Sequence, residues 1–182
     1  MSRAIGMIEF KTVSSGITAT DRMVKSADVE LLEAQTVCPG KYIALIAGEL
    51  SAVDAAVDTA KHYEKGELIS SFVLGNPDES IFPAIYGSSS IEGVEALGIL
   101  ETYDAASIIV AADIAAKTAI VKLIELRVAK GMCGKSYMLL TGEVSSCQAA
   151  IDRAKQAVGD RGMYLDSSVI ARPDPQICKK II

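Results

Sequence analysis

Four cysteines, one histidine and two repeated glutamates are the side chains with the most chemistry to offer in this 182-residue chain. Cys38, Cys133, Cys147 and Cys178 form no C-x-x-C pair. The first residues, Met1-Ser2-Arg3-Ala4, lack a basic region followed by an apolar run, so no signal peptide is expected. The cysteines are therefore expected as reduced thiols or metal ligands, not as a disulfide frame. His62 is the single histidine, so no metal-ligand spacing surrounds it, and no Ser/His/Asp or Cys/His nucleophile set can be assembled. Its setting, Lys61-His62-Tyr63-Glu64, is a polar helix end and predicts a surface residue. Glu9 and Glu101 could in principle pair for acid–base work. Their recurrence at equal positions in two halves of the chain reads instead as structural. Lys130-Gly131-Met132-Cys133-Gly134-Lys135-Ser136 resembles the tail of a phosphate-binding loop. That motif needs glycine where Ala129 stands, and a helix where Tyr137-Met138-Leu139-Leu140 reads as a strand. Nucleotide binding is not expected.

Composition narrows the classes further. Half of the residues are apolar and 23% are charged, which excludes a disordered chain. A net charge of −5 argues against a broad nucleic-acid surface. The longest apolar run, Ile108 to Ala116, is interrupted by Asp113 and too short to span a bilayer. The mean hydropathy of +0.32 is high, and the apolar residues are mostly small aliphatics. Such a chain has more apolar surface than one copy hides, and an oligomer is expected.

The elements that must position these residues occur twice. At an offset of 92, Ala4-Ile5-Gly6-Met7-Ile8-Glu9-Phe10 falls on Ala96-Leu97-Gly98-Ile99-Leu100-Glu101-Thr102. The same offset pairs Asp21 with Asp113, Lys25 with Lys117, Leu31 with Leu123 and Glu33 with Glu125. At 94, Gly40-Lys41 meets Gly134-Lys135, and residues 47–61 meet 141–155; at 96, Pro77-Asp78 meets Pro173-Asp174. Two copies are predicted, residues 1–92 and 93–182, joined by a Gly/Ser-rich linker over residues 86–93. Each copy reads β-α-β-β-α-β. Strands are predicted over 4–11 and 96–103, and Ala-rich helices over 14–27 and 106–119. Alternation predicts strands over 29–36 and 121–128, followed by strands over 42–47 and 137–141. Ser51-x-x-Asp54 and Ser145-x-x-Gln148 are expected to cap the second helices. The fold class is α/β in the α+β, ferredoxin-like sense: an antiparallel sheet with helices on one side.

The segments 96–125 (ALGILETYDAASIIVAADIAAKTAIVKLIE) and 167–174 (SSVIARPD), with weaker partners in the first copy, resemble the bacterial microcompartment shell domain. The resemblance covers nearly the whole chain, and order and spacing agree in both copies. It implies a homotrimer whose six domains form a pseudohexameric tile. Such tiles pack with other shell proteins around enzymes in the cytoplasm, bind neither membrane nor nucleic acid, and are not enzymes. Cys38 makes the chain similar to the T-type tandem shell proteins of propanediol-utilisation microcompartments.

The resemblance also assigns roles to residues. The loop between the second and third strands of each copy lines the family's central pore, which here implies Val37, Cys38, Pro39 and Gly40, and Met132, Cys133 and Gly134. The first-copy loop puts a thiol where the family usually offers small residues and backbone amides. One Cys per chain is a poor metal site, but three related by a three-fold axis converge. Three thiolates suit three irons of a [4Fe–4S] cube, leaving the axial iron with an exchangeable ligand; most protein clusters have four thiolates. One such cluster per trimer, on Cys38, is the expectation. Cys133 is expected to be a spectator, Cys147 (opposite Val53 in the repeat) a core residue, and Cys178 (opposite Phe82) a packing residue. Lys25 and Lys117 occupy the family's edge position, where neighbouring tiles meet, and Arg172-Pro173 keeps its edge arginine while Asn76-Pro77 does not.

Three functions compete on this reading. The first is a shell tile whose cluster moves electrons across the wall or delivers a cluster to an enclosed redox enzyme. The second is a tile with a metabolite-conducting pore and no cluster. The third is an enzyme or small-ligand sensor on a ferredoxin-like repeat, since such folds host many functions. The absence of a converging polar set weighs against the third.

Overall fold

The computed structural model describes residues 3–63, 66–91 and 93–181. The expectations that fall on Met1, Ser2, Glu64 and Glu92 lie outside these residues. The chain forms two compact units, Met1–Pro77 and Asp78–Ile182.

In the first unit, β1 (Ala4–Phe10), α1 (Val13–Ser26), β2 (Val29–Val37), β3 (Lys41–Gly48), α2 (Leu50–Tyr63) and β4 (Leu68–Gly75) follow in order. The four strands form one antiparallel sheet in the order β2-β3-β1-β4. The period of two along the strands puts Ala4, Ile8 and Phe10 of β1, with Tyr42, Ala44 and Ile46 of β3, on one face. Against them pack Ala19 and Met23 of α1 and Val53, Ala56, Val57 and Ala60 of α2, the i, i+3, i+4, i+7 stripe of an amphipathic helix. Each large side chain buried there contributes about 1.5–3 kcal/mol. The interface is tight enough to demand glycine. A Cβ on Gly6 would lie 2.7 Å from Val53 Cγ1, and one on Gly16 of α1 would lie 2.4 Å from Tyr42 Cβ.

The second unit repeats the plan with β5 (Ala96–Thr102), α4 (Ala105–Thr118), β6 (Val121–Arg127), β7 (Ser136–Gly142), α5 (Val144–Gly159) and β8 (Tyr164–Ala171). Its sheet order is β6-β7-β5-β8, again antiparallel. The close approach recurs: a Cβ on Gly98 would lie 2.5 Å from Leu140 Cδ1 and 3.1 Å from Ile151 Cγ1. The α5 stripe is Cys147, Ala150, Ile151, Ala154 and Val158. The expected βαββαβ plan is therefore present in both copies.

Three features differ from the sequence expectation. Helices α2 and α5 begin at Leu50 and Val144, so Ser51 and Ser145 lie inside the first turn and do not cap; the N-cap of α5 is Glu143. Side-chain caps occur on the other helix pair. Thr12 Oγ1 accepts from the Ser15 N–H at 3.4 Å, and Asp104 Oδ1 accepts from the Ser107 N–H at 3.0 Å. Two short helices follow the fourth strands, α3 (Ile81–Ile85) and α6 (Pro175–Ile181), which no periodicity announced. Finally, residues 78–92 were assigned to the first copy by repeat spacing, yet the segment from Asp78 packs with the second unit, where α3 lies against β6 and α4. Repeat spacing records ancestry of a segment; contacts decide which core it joins.

Substituting Gly6 with Val should lower stability by about 1–3 kcal/mol, since Cβ and both methyls must displace Val53 and Val57. A fall of several degrees in Tm, against no change for Gly159→Ala, where a Cβ meets nothing within 4 Å, checks it by thermal circular dichroism.

Candidate loops and edge residues of the site

The first loop is short because of where its strands end. Val37 pairs with Lys41, so only Cys38, Pro39 and Gly40 turn the chain. Gly40 N–H donates to Val37 O at 3.0 Å, the Cys38–Pro39 peptide is cis, and Gly40 takes φ +97°. That φ suits only glycine, and a Cβ there would meet nothing within 4 Å. Val37 is buried under the turn, while Cys38, Pro39 and Gly40 are exposed. At the foot of the turn, Lys41 Nζ reaches Glu9 Oε1 at 2.9 Å. Glu9 is nearly enclosed, so this pair ties the loop to the end of the central strand. The structural reading of Glu9 thus has a partner.

The second loop is longer and built otherwise. Ser136 Oγ accepts from the Ala129 N–H at 2.9 Å, and Lys135 N–H donates to Met132 O at 3.1 Å. Four of its residues have positive φ: Ala129 (58°), Gly131 (70°), Cys133 (55°) and Gly134 (90°). For Ala129 and Cys133 this is a conformation that side chains other than glycine, Asn or Asp seldom adopt. Cys133 is exposed, Met132 half-buried and Gly134 buried. A strand, β7, follows at Ser136, so the helix N-terminus that a phosphate loop requires is missing.

The foot of this second loop is a polar cluster with no equivalent in the first. Arg127 and Tyr137 are register partners on β6 and β7. Arg127 Nη2 and Nε donate to Glu125 Oε1 at 2.7 and 3.0 Å, Tyr137 Oη donates to Glu125 Oε2 at 2.8 Å, and the guanidinium lies 5.5 Å from the Tyr137 ring centroid. Burial, then the hydrogen bond to Glu125, pushes the Tyr137 pKa up to about 12. The same carboxylate, chiefly through its hydrogen bond, raises the pKa of Arg127.

The remaining residues fall as follows. Cys147 is buried, its thiol 3.8 Å from Ala96 O, and burial raises its pKa. Cys178 is half-buried. His62 is exposed, with Nδ1 2.7 Å from Asp58 O. Lys25 pairs with Asp21 at 2.7 Å, both exposed, and Lys117 pairs with Asp113 at 2.7 Å, the latter buried. Arg172 is exposed with φ 49°, and Asn76 at the matching position has φ 52°. Among the described residues of one chain, no group of three His, Cys, Asp or Glu side chains could hold a metal ion. One chain therefore offers Cys38 alone at its loop. No described helix is long and apolar enough to cross a membrane.

Two ferredoxin-like units with exposed strand-two to strand-three hairpins, repeated in tandem, define a class of assembling domains without a catalytic pocket on these loops. Residues 4–77 and 96–173 both match the BMC domain family. The chain is 38% identical over its full length to the bacterial microcompartment shell protein PduT of Citrobacter freundii, covering 99% of that protein. A crystal structure of a microcompartment protein from Desulfitobacterium hafniense DCB superposes with a TM-score of 0.95 at 40% identity, over 98% of this chain and 99% of that one. The fused permuted hexameric shell protein MSM0275 of the RMM microcompartment superposes with a TM-score of 0.64 at 25% identity, over 87% of this chain and 84% of that one. The chain belongs to the bacterial microcompartment shell-protein family. It is a PduT-like shell protein with two tandem BMC domains, and its place is the microcompartment shell.

Thiol burial orders reactivity. In metal-free, reduced protein, Cys38 and Cys133 should react rapidly with a disulfide reagent, Cys178 more slowly, and Cys147 only after unfolding; peptide mapping of the modified sites over time checks this. A second outcome concerns Tyr137. An unfolded tyrosine ionises near 10. The folded chain holds this proton to higher pH, so stability is intact below about 10 and is lost as pH rises through about 12. Urea midpoints of Tyr137→Phe should fall less steeply over that window than those of the wild type.

Proposed function

We propose that this shell protein assembles as a homotrimeric tile in which three Cys38 thiolates, one from each chain, hold one [4Fe–4S] cluster on the three-fold axis. The observation that carries this is the Cys38 thiol itself: exposed, at the tip of a three-residue turn, on a rigid hairpin. One thiol per chain is insufficient for any cluster, and three symmetric copies supply the number that leaves one iron open to an exchangeable ligand. The second-copy loop, longer and with Cys133 in a positive-φ turn, is a spectator in this reading.

When bound, such a cluster would supply one-electron chemistry between the two sides of the wall. The protein's own part is to hold and shield. Val37, buried beneath the turn, fixes the height of the thiol. The Lys41–Glu9 pair anchors the hairpin foot. Pro39 and Gly40 line the approach beside the thiol, and Met132, Cys133 and Gly134 contribute the alternate positions around the ring. Lys25, Lys117 and Arg172 are exposed enough to meet neighbouring tiles, which makes them the proposed contacts to other shell proteins. The roles that follow are electron transfer across the shell or delivery of a cluster to an enclosed redox enzyme. Likeness to PduT supports a propanediol-utilisation compartment as the setting.

The test is iron and acid-labile sulfide per chain in protein purified without oxygen, beside Cys38→Ser. About four irons per three chains are expected, lost in the variant while the mass of the assembly is unchanged. A Cys38→Ser protein that keeps its full iron sinks the cluster. Wild-type protein that takes up no iron, even on reconstitution, makes the loop the lining of a conducting pore.

A further inference from the structure

The two repeats share sequence and backbone but not burial, and the mismatch falls on two surfaces. The first is the tail of each repeat. Asn76 and Arg172 take the same positive φ (52° and 49°), and a buried proline follows each. The Ser80 N–H donates to Asp78 Oδ1 at 3.0 Å, and the Gln176 N–H donates to Asp174 Oδ1 at 2.8 Å. Both tails then enter a short helix, and at an offset of 96 Ile81 matches Ile177 and Ile85 matches Ile181. Ile81 is 0% exposed, whereas Ile177 is 49% exposed. Ile181 packs against Leu97, Ile124 and Leu139, so α6 is anchored to its own sheet and presents Ile177 outward.

The second surface is what the first tail sits on. Within the second unit, α3 packs against β6 and α4, and the Asp78 N–H donates to Asp113 Oδ1 at 2.8 Å. Leu123 on β6 is 2% exposed and Ile109 on α4 is 0% exposed. At the matching positions of the first unit, Leu31 on β2 is 42% exposed, Ile17 on α1 is 53% exposed, and Asp21 is exposed too. One tail has a seat and its equivalent does not; one seat has a tail and its equivalent does not.

We propose that the α6 tail of one chain docks on the β2–α1 face of a second copy of this chain, with Ile177 covering Leu31 and Ile17 and the Asp174 N–H donating to Asp21. The partner is this chain because the template for the contact is already present within it, residue for residue, at α3. The contact joins unlike surfaces, tail to seat, so it is heterologous: every chain gives one tail and offers one seat, and rotation about an axis closes a ring. The contact rests on the repeat; the count of three chains rests on the proposed trimer.

Ile177→Asp and Leu31→Asp change exposed side chains and should leave the circular dichroism spectrum unchanged, and Ile17→Asp serves in place of Leu31→Asp if that edge strand is disturbed. By light scattering after gel filtration, the wild type should give a mass near three chains of 19.2 kDa, and each variant a single chain. An equimolar mixture of Ile177→Asp with the seat variant should give pairs and nothing larger, because one intact tail meets one intact seat. A variant that keeps the wild-type mass, or a mixture that forms no pair, overturns the docking and leaves the trimer standing on other contacts. Wild-type protein that runs as one chain overturns both.

Discussion

The seat of α2 on β1, repeated by α5 on β5, is the contact on which the rest of each unit depends. Gly6 and Gly98 let a helix ride directly on the central strand, where any side chain would strike Val53 or Leu140. Residues of β1 are buried along its whole length, so the strand is fixed from both sides and from both neighbours. Antiparallel pairing then sets everything downstream. Phe10 opposite Tyr42 and Thr102 opposite Ser136 put each hairpin loop one step past the end of the central strand. The loops are held by a core and not by their own sequences, which is why they are free to differ.

They differ in kind. The first turn is as short as the register permits and spends its three residues on a thiol, a proline and a glycine. The second is longer, uses positive φ four times, and is braced at its foot by Arg127, Glu125 and Tyr137. In the first, the brace is the single Lys41–Glu9 pair. A duplicated domain can keep one loop as a scaffold and change the chemistry of the other without disturbing the sheet, because both hang from the same register. In the proposed tile, this alternation turns a six-fold plan into a three-fold one, and a three-fold set of thiols is what an iron–sulfur cube can use.

Duplication also leaves an unequal account of surfaces. Fusing two domains satisfies one tail–seat contact inside the chain and leaves the other for a neighbour. Asp113 with Lys117 and Asp21 with Lys25 are the same pair in sequence and in hydrogen bonding, yet one carboxylate is buried beside Asp78 and the other faces outward. The apolar composition of the chain, with exposed Ile17, Leu31 and Ile177, has the same origin. These residues are core residues of a contact whose second half belongs to another copy.

Much of this was legible before folding. The offsets between copies, the period of two in the strands and the helical stripes fixed the βαββαβ plan, because they follow from local geometry and from which face of each element is apolar. Cys38 could be singled out because the two copies differ there. The caps at Thr12 and Asp104 were passed over for Ser51 and Ser145, since a capping motif in sequence does not say where a helix starts. The short helices α3 and α6 have too few turns for a hydrophobic period. The sequence by itself determined the elements, their order and the chemical oddity of one loop. Only the tertiary structure decided that the segment from Asp78 joins the second unit and that Ile81 is covered while Ile177 is not, because burial depends on what lies across from a residue, and identical residues in identical local structure can face different neighbours.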